Sequence, residues 1–210
     1  MTWHEIERDW LAQALRTAQP DDPTLCEGWQ ARHLAAHLVL RERPTTAASA
    51  VRGGLRGATE RLADEATDAE GYARLVDTFA AQPGRWSPRA WVGDAVNTAE
   101  FFLHTEDVRR GAGPVEPREL PAALVDVLWS QLRRTAPLRL RRLGPGVVLV
   151  RPDDVRAAVH GPKAGHGSVV LRGEVGELVL AVSGRLQAAG VRLDGAPQDV
   201  AEVRDLLTGP

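Results

Sequence analysis

Two pairs of potential metal ligands occur at one-turn helical spacing in this sequence. His33 and His37 are four residues apart, and Glu100 and His104 repeat that separation. Asp107 follows His104 by three residues. Side chains three or four residues apart lie on one side of a helix, so each pair can point at a common partner.

An imidazole and a carboxylate one turn apart can place a nitrogen and an oxygen on the same divalent cation. Helical bundles build metal centres in this way, from side chains on facing helices. One histidine of the first pair, together with Glu100 and His104, would supply three ligands and leave a position for water or substrate, as in catalytic zinc sites.

The same spacing is also common on solvated helix surfaces, but here the neighbouring residues are apolar. Phe101, Phe102 and Leu103 separate Glu100 from His104. Polar groups buried in such surroundings need partners. A metal ion would satisfy them, and so would a buried hydrogen bond between histidine and glutamate.

Helical patterns that could position these residues occupy the first two thirds of the chain. Thr2 and Glu5 form a capping box, which predicts that the first helix covers residues 3–18. Four further helices are predicted over residues 30–43, 47–64, 68–81 and 90–110, with a loop over 82–88. The buried stripe of the helix over 68–81 is predicted to be Tyr72, Leu75, Val76 and Phe79.

The last third has a different pattern. A segment rich in proline and glycine, 111–117, is predicted to be a linker before a helix over 120–136. Short β-branched runs bounded by glycine or proline predict strands. The strands are predicted over 147–150, 155–160, 168–171 and 191–193, with helices over 176–186 and 199–207.

The predicted architecture is therefore mainly α, with an α+β C-terminal part. We expect a metal-binding helical bundle over residues 1–112, a linker and connecting helix over 113–146, and a small α+β domain over 147–210.

Composition restricts the class of protein further. Of the 210 residues, 43% are hydrophobic and 26% are charged, which is ordinary for a globular chain, and no apolar run is long enough to span a bilayer. The net charge of −2 argues against nucleic acid as a partner. The single cysteine, Cys26, and the lack of a signal-peptide pattern favour the cytoplasm. Lys163 is the only lysine, and this preference for arginine is typical of GC-rich coding, as in actinobacteria.

Several other side chains could contribute to a substrate pocket. Trp29 and Trp86 could form its walls, although large aromatic residues more often fill the core. Arg85 and Arg89 could bind a substrate carboxylate, with solvated surface as the alternative. Cys26 could be a reactive thiolate near a helix N-terminus, but a small buried side chain is the favoured interpretation.

The combined motif resembles the mycothiol-dependent maleylpyruvate isomerase family, which belongs to the wider DinB-like group of metal-binding helical bundles. The matching residues are Gly28-Trp29, His33, His37, Glu100, His104 and Asp107. The resemblance implies a DinB-like four-helix bundle followed by a small sterol-carrier-like α+β domain. It also implies that His37, Glu100 and His104 bind a divalent metal, usually zinc, and that Asp107 and His33 support these ligands.

The function implied by this resemblance is metal-dependent chemistry with a low-molecular-weight thiol, mycothiol, acting on an electrophilic substrate. The reaction would be thiol transfer or a thiol-assisted isomerisation. Segments 25–29 and 35–43 are closer to an actinobacterial metal-binding branch than to the isomerases, so the metal site transfers more readily than the reaction. The alternative is a metal- or small-ligand-binding module without turnover, favoured by the lack of an evident general base beyond the ligands. We expect a monomer or homodimer that binds neither nucleic acid nor membrane.

Overall fold

The protein divides into two compact units after Gly113. The computed structural model describes residues 2–42, 54–81 and 94–208. These residues form eight α-helices and one four-stranded sheet, and the sheet lies entirely in the second unit. The predicted architecture, mainly helical with an α+β C-terminal part, is confirmed. Within the described ranges, no helix combines the length and apolarity that crossing a membrane requires.

The described helices of the first unit follow the sequence pattern closely. They are α1 (Trp3–Thr17), α2 (Ala31–Glu42), α3 (Gly54–Asp64), α4 (Ala69–Ala80) and α5 (Asp94–Arg109). The predicted capping box begins α1, where the backbone N–H of Thr2 donates to Glu5 Oε2 over 2.7 Å. The predicted loop over 82–88 and parts of three predicted helices lie outside the described residues.

An apolar core built from all five described helices holds them together. α1 packs against α4 and α5, while α2 packs against α3 and α4. The predicted stripe of α4 is buried, and the Phe79 ring meets the Phe101 ring of α5 edge-on, with 5.8 Å between centroids. Arg8 of α1 is buried as well, where it pairs with Glu42 of α2 and donates to the Phe79 carbonyl over 2.7 Å. These contacts fix α1, α2, α4 and α5 relative to one another.

The second unit begins with α6 (Ala122–Leu140), which is longer than the predicted helix over 120–136. The helix continues through Pro137, although proline cannot donate the backbone hydrogen bond of a helix interior. Ala136 and Leu140 on either side are fully buried. Their packing offsets the lost bond, so the prediction was too short at this end.

The sheet has the strand order β2-β1-β3-β4. The strands are β1 (Gly146–Val150), β2 (Arg156–His160), β3 (Ser168–Arg172) and β4 (Arg192–Asp194). β1 runs parallel to β3 and antiparallel to β2, and β4 runs antiparallel to β3. All four strands fall within about two residues of the predicted positions.

Two helices accompany the sheet, α7 (Val175–Leu180) and α8 (Pro197–Thr208). α7 is shorter than the predicted helix over 176–186, because the chain passes into a π-helical turn, Ala181–Arg185, in which Gly184 has a φ of 87°. The first turn of α8 carries Asp199, whose two carboxylate oxygens accept from His166 Nδ1 and from the Gly167 amide, each over 2.9 Å.

Candidate metal centre

His37, Glu100 and His104 converge within the first unit. Each offers one ligand atom, and these atoms all lie within 4.8 Å of one another. His104 Nε2 is 3.5 Å from Glu100 Oε1, and the His37 and His104 rings are 5.8 Å apart between centroids at an interplanar angle of 71°. Two imidazoles and one carboxylate, supplied by α2 and α5, therefore face a common point.

The apolar neighbours of these residues explain why the two helices present them inward. Leu34 and Leu38 of α2 are fully buried. Phe101 and Phe102 of α5 are almost fully buried, with only 1% and 2% of their surface exposed. Burying these side chains stabilises the packing of each helix. The polar residues between them are thereby held near the core, and His104 is itself buried.

Asp107 fixes the orientation of the His104 ring. His104 Nδ1 donates to Asp107 Oδ2 over 2.9 Å, and Asp107 is completely buried. This bond directs the other ring nitrogen, Nε2, toward Glu100. Metal-binding histidines are commonly oriented by a carboxylate in this way. Burial opposes the charged form of His104, but hydrogen bonds with Asp107, Cys26 and Glu100 outweigh it and raise the pKa of His104 well above its usual value.

Cys26 contacts the same carboxylate oxygen of Asp107 as His104 does. Its thiol donates to Asp107 Oδ2 over 3.1 Å, and the backbone N–H of Leu25 donates to the Asp107 carbonyl over 3.0 Å. The chain reverses at Gly28, which has a φ of 73° that favours glycine, and the Thr24 hydroxyl donates to the Trp29 carbonyl across the turn. The sequence pattern alone favours a small buried side chain at Cys26 and does not predict this contact.

This contact creates a second group of possible ligands. Cys26, His104 and Asp107 also offer ligand atoms within 4.8 Å of one another. The two groups share His104, with Asp107 and Cys26 on the Nδ1 side of its ring and Glu100 on the Nε2 side.

Glu100 is paired with Arg41, a residue that is not among the predicted site residues. Arg41 Nε donates to Glu100 Oε1 over 2.9 Å. Burial opposes ionisation of Glu100, but the hydrogen bond from His104 and the charge of Arg41 prevail and lower its pKa to about 2. Glu100 is therefore an anion at neutral pH. Arg41 follows His37 by four residues, and that spacing was the available signal.

The other predicted site residues are placed differently. The Trp29 ring lies 5.1 Å from the His37 ring between centroids and so forms one wall beside it. His33 Nδ1 accepts from the Gln30 amide over 3.2 Å, and burial together with the charge of Arg32 lowers the pKa of His33. Among the described residues, His33 does not belong to either group of converging ligand atoms, so its support of the ligands stays a prediction. Arg85, Trp86 and Arg89 lie outside the described residues.

Comparison with known proteins places the fold. No protein-family model matches the sequence, and no curated protein matches it. A crystal structure of the mycothiol-dependent maleylpyruvate isomerase is similar, with a TM-score of 0.60 and 16% identity over 93% of this chain and 92% of that chain. A variant of that enzyme with one histidine replaced by alanine has a TM-score of 0.58 and 15% identity over the same shares. At such low identity the similarity shows a shared fold, which confirms the sequence resemblance at that level.

Proposed function

We propose that His37, Glu100 and His104 hold one divalent cation, and that the protein uses it in the chemistry of a low-molecular-weight thiol. The observation that carries this proposal is the convergence of two imidazoles and one ionised carboxylate from two helices. We further propose that α1, α2, α4 and α5 form a DinB-like four-helix bundle, and that the second unit is a sterol-carrier-like domain.

The donor set fits a catalytic metal ion. Two histidines and one glutamate with a position left over are a common ligand set for catalytic zinc, which is the metal we propose. Asp107 holds the proton on His104 Nδ1, so that Nε2 can present a lone pair once the ring is neutral. Glu100 contributes the negative charge that a divalent cation requires.

The group with Cys26 is the weaker candidate for the same ion. Its three members already satisfy one another, because both the thiol and the imidazole donate to Asp107 Oδ2 at hydrogen-bond distance. On the other side of His104, the 3.5 Å between Nε2 and Glu100 Oε1 is at the limit of a hydrogen bond. A metal ion held by these two residues would satisfy Nε2, while Oε1, which accepts from Arg41, has a second lone pair for it.

The reaction we propose is thiol transfer or thiol-assisted isomerisation, with mycothiol as co-substrate and an electrophile as substrate. A divalent ion in this site would lower the pKa of a thiol bound to it. Trp29 would bound the site beside His37, and we propose that Arg85, Trp86 and Arg89 bind substrate. The shared fold with the mycothiol-dependent maleylpyruvate isomerase supports this choice of co-substrate.

The first test is the metal content of a Glu100→Gln variant. A neutral amide is a poorer ligand than a carboxylate, so we expect affinity for zinc to fall by more than about 100-fold, beyond the loss typical of residues behind the ligands. Glu70→Gln is the matched control, because Glu70 is exposed and pairs only with Arg74 among its described contacts. Elemental analysis after dialysis against a weak chelator measures both. Equal zinc in the two variants would refute the assignment of Glu100.

The second test concerns turnover. Zinc-loaded protein is incubated with mycothiol and a panel of electrophiles, and both free thiol and substrate are followed over time. Thiol transfer consumes the thiol, whereas thiol-assisted isomerisation regenerates it and converts only the substrate. We expect one of these changes above background, and we expect it to disappear when the metal is removed. Saturable thiol binding with neither thiol consumption nor thiol-dependent conversion of a substrate would refute the enzymatic function.

A non-catalytic metal- or ligand-binding module is the second candidate. One observation favours it: within the described part of the site, the acid–base side chains are already engaged with each other. Glu100 is paired with Arg41, and Asp107 accepts from both His104 and Cys26. The thiol assay separates this candidate from the enzyme.

A further inference from the structure

Arg41 places a permanent positive charge beside the candidate metal centre. Its side chain is only 4% exposed, and its Nε lies 2.9 Å from Glu100 Oε1. Arg41 and His37 are one turn apart on α2, so they lie on the same side of the helix. A guanidinium does not lose its proton in proteins, so this charge persists under all ordinary conditions.

Orientation of Glu100 is an incomplete explanation for a charged residue at this position. A buried cation repels a second cation, and at short range in a protein interior that repulsion is large. Without a metal, the charge of Arg41 balances the ionised Glu100, which a neutral donor such as glutamine could not do. A bound divalent ion would also balance Glu100, so in the loaded site the charge of Arg41 would act on whatever else the ion binds.

The balance of charges indicates what that role is. Among the described residues, the site holds two carboxylates, Glu100 and Asp107, and one guanidinium, while both histidines are neutral when they bind a metal. The next residue on α2, Glu42, is already paired with Arg8. A divalent ion would therefore leave the site with one net positive charge, whereas the same site without Arg41 would be neutral.

We propose that Arg41 makes the metal centre selective for anionic ligands over neutral ones. This inference rests on the proposed function, and it specifies the class of molecule that the site accepts. A thiolate is such a ligand, and its single negative charge would neutralise the loaded site. Arg41 is thus a specificity-determining residue, distinct from the three ligands.

The test compares one anionic and one neutral probe on cobalt-loaded protein, with azide and imidazole titrated separately and followed by the visible absorption of cobalt(II). In Arg41→Met we expect azide to bind about tenfold more weakly, because the anion loses its attraction to one nearby positive charge. Imidazole is neutral, so we expect its affinity to change by less than about twofold. Arg41→Lys keeps the charge and should retain most of the azide affinity. Arg74→Met, which removes an exposed arginine of α4, is the matched control and should change neither.

The outcomes separate this inference from the proposed function. If wild-type protein binds no cobalt, the proposed function is wrong, and so is the inference that rests on it. If it binds cobalt but Arg41→Met binds azide as tightly as before, or loses azide and imidazole equally, only the inference is wrong. Arg41→Gln provides a second uncharged variant. If neither uncharged variant holds cobalt, Arg41 serves metal binding itself, and the inference is likewise overturned.

Discussion

At the scale of single residues, Asp107 is the hydrogen-bond acceptor shared by two other side chains of the site. One of its oxygens, Oδ2, accepts from both His104 Nδ1 and the Cys26 thiol, and the side chain is completely buried. A buried carboxylate must be paired to remain charged. Asp107 thus sets the ring orientation of His104, while Cys26 shares the same acceptor.

Replacing Asp107 with asparagine should weaken metal binding without removing a ligand. The amide cannot stabilise the His104 Nδ1–H as a carboxylate does, so we expect zinc affinity to fall by about 10–100-fold, the range found for such supporting residues. Cys26→Ala should have a smaller effect, because a thiol is a weak donor. Competition with a chromophoric chelator gives both affinities. A larger loss in Cys26→Ala than in Asp107→Asn would show that the thiol is itself a ligand.

At the scale of elements, the segment before α2 is held against the end of α5. The Pro23 carbonyl approaches Gly111 so closely that a Cβ added there would lie 1.9 Å from its oxygen. The same segment carries Cys26 to Asp107. A glycine just beyond α5 therefore helps to position a thiol that is far from it in sequence.

Gly111→Ala should displace this segment. The added methyl group cannot fit without a backbone shift, so we expect a loss of about 1–3 kcal/mol in the free energy of unfolding, as overpacking typically costs. Gly161→Ala is the control, because a Cβ at Gly161 meets nothing within 4 Å. Urea denaturation measures both. Equal stability of the two variants would contradict the close approach.

The sequence was informative wherever local pattern decides structure. The stripe of α4, including Tyr72 and Phe79, follows from helical spacing alone, and the spacing of Glu100 and His104 placed both on one side of α5. The predicted helix over 120–136 is too short, because burial of Leu140 sustains the helix beyond Pro137, a residue type that disfavours helix by local propensity.

Contacts between segments that are far apart in the sequence could not be predicted from the sequence pattern. That Arg41 would meet Glu100, and Cys26 would meet Asp107, depends on how α2 and the segment before it pack against α5. Neither pair shares a helix, so periodicity shows at most that Arg41 lies on the same side of α2 as His37, and it does not show which residue Arg41 meets. The pairing of α2 with α5 could be predicted only through the possible metal site and the family resemblance.

At the scale of the whole molecule, the chain shares the fold of a thiol-dependent isomerase over nearly its full length, and each of its two units combines buried apolar side chains with buried charged ones. The first unit relies on an apolar core and the buried Arg8–Glu42 pair. In the second, Asp199 links α8 to the segment that precedes β3. Hydrogen bonds from His166 and the Gly167 amide lower the pKa of Asp199.

The lowered pKa of Asp199 predicts a pH-dependent contribution to stability. Because the folded state prefers the ionised carboxylate, the contribution is fully present above the ordinary aspartate pKa of about 3.9 and is lost as the pH falls through the lower folded value. We expect Asp199→Asn to be less stable than wild type at pH 7, and the difference to shrink near pH 3. Urea midpoints measure it, with Asp205→Asn on the exposed side of α8 as control. A difference that stays constant with pH would contradict this account.

The central claim is that His37, Glu100 and His104 bind one metal ion. X-ray absorption at the zinc edge, on zinc-loaded protein in buffer free of thiols, tests it most directly. The account predicts one zinc per chain, with nitrogen and oxygen neighbours at about 2.0–2.2 Å and no sulfur. A sulfur neighbour at about 2.3 Å would assign the ion to Cys26 instead, and failure to retain zinc would remove the metal centre altogether.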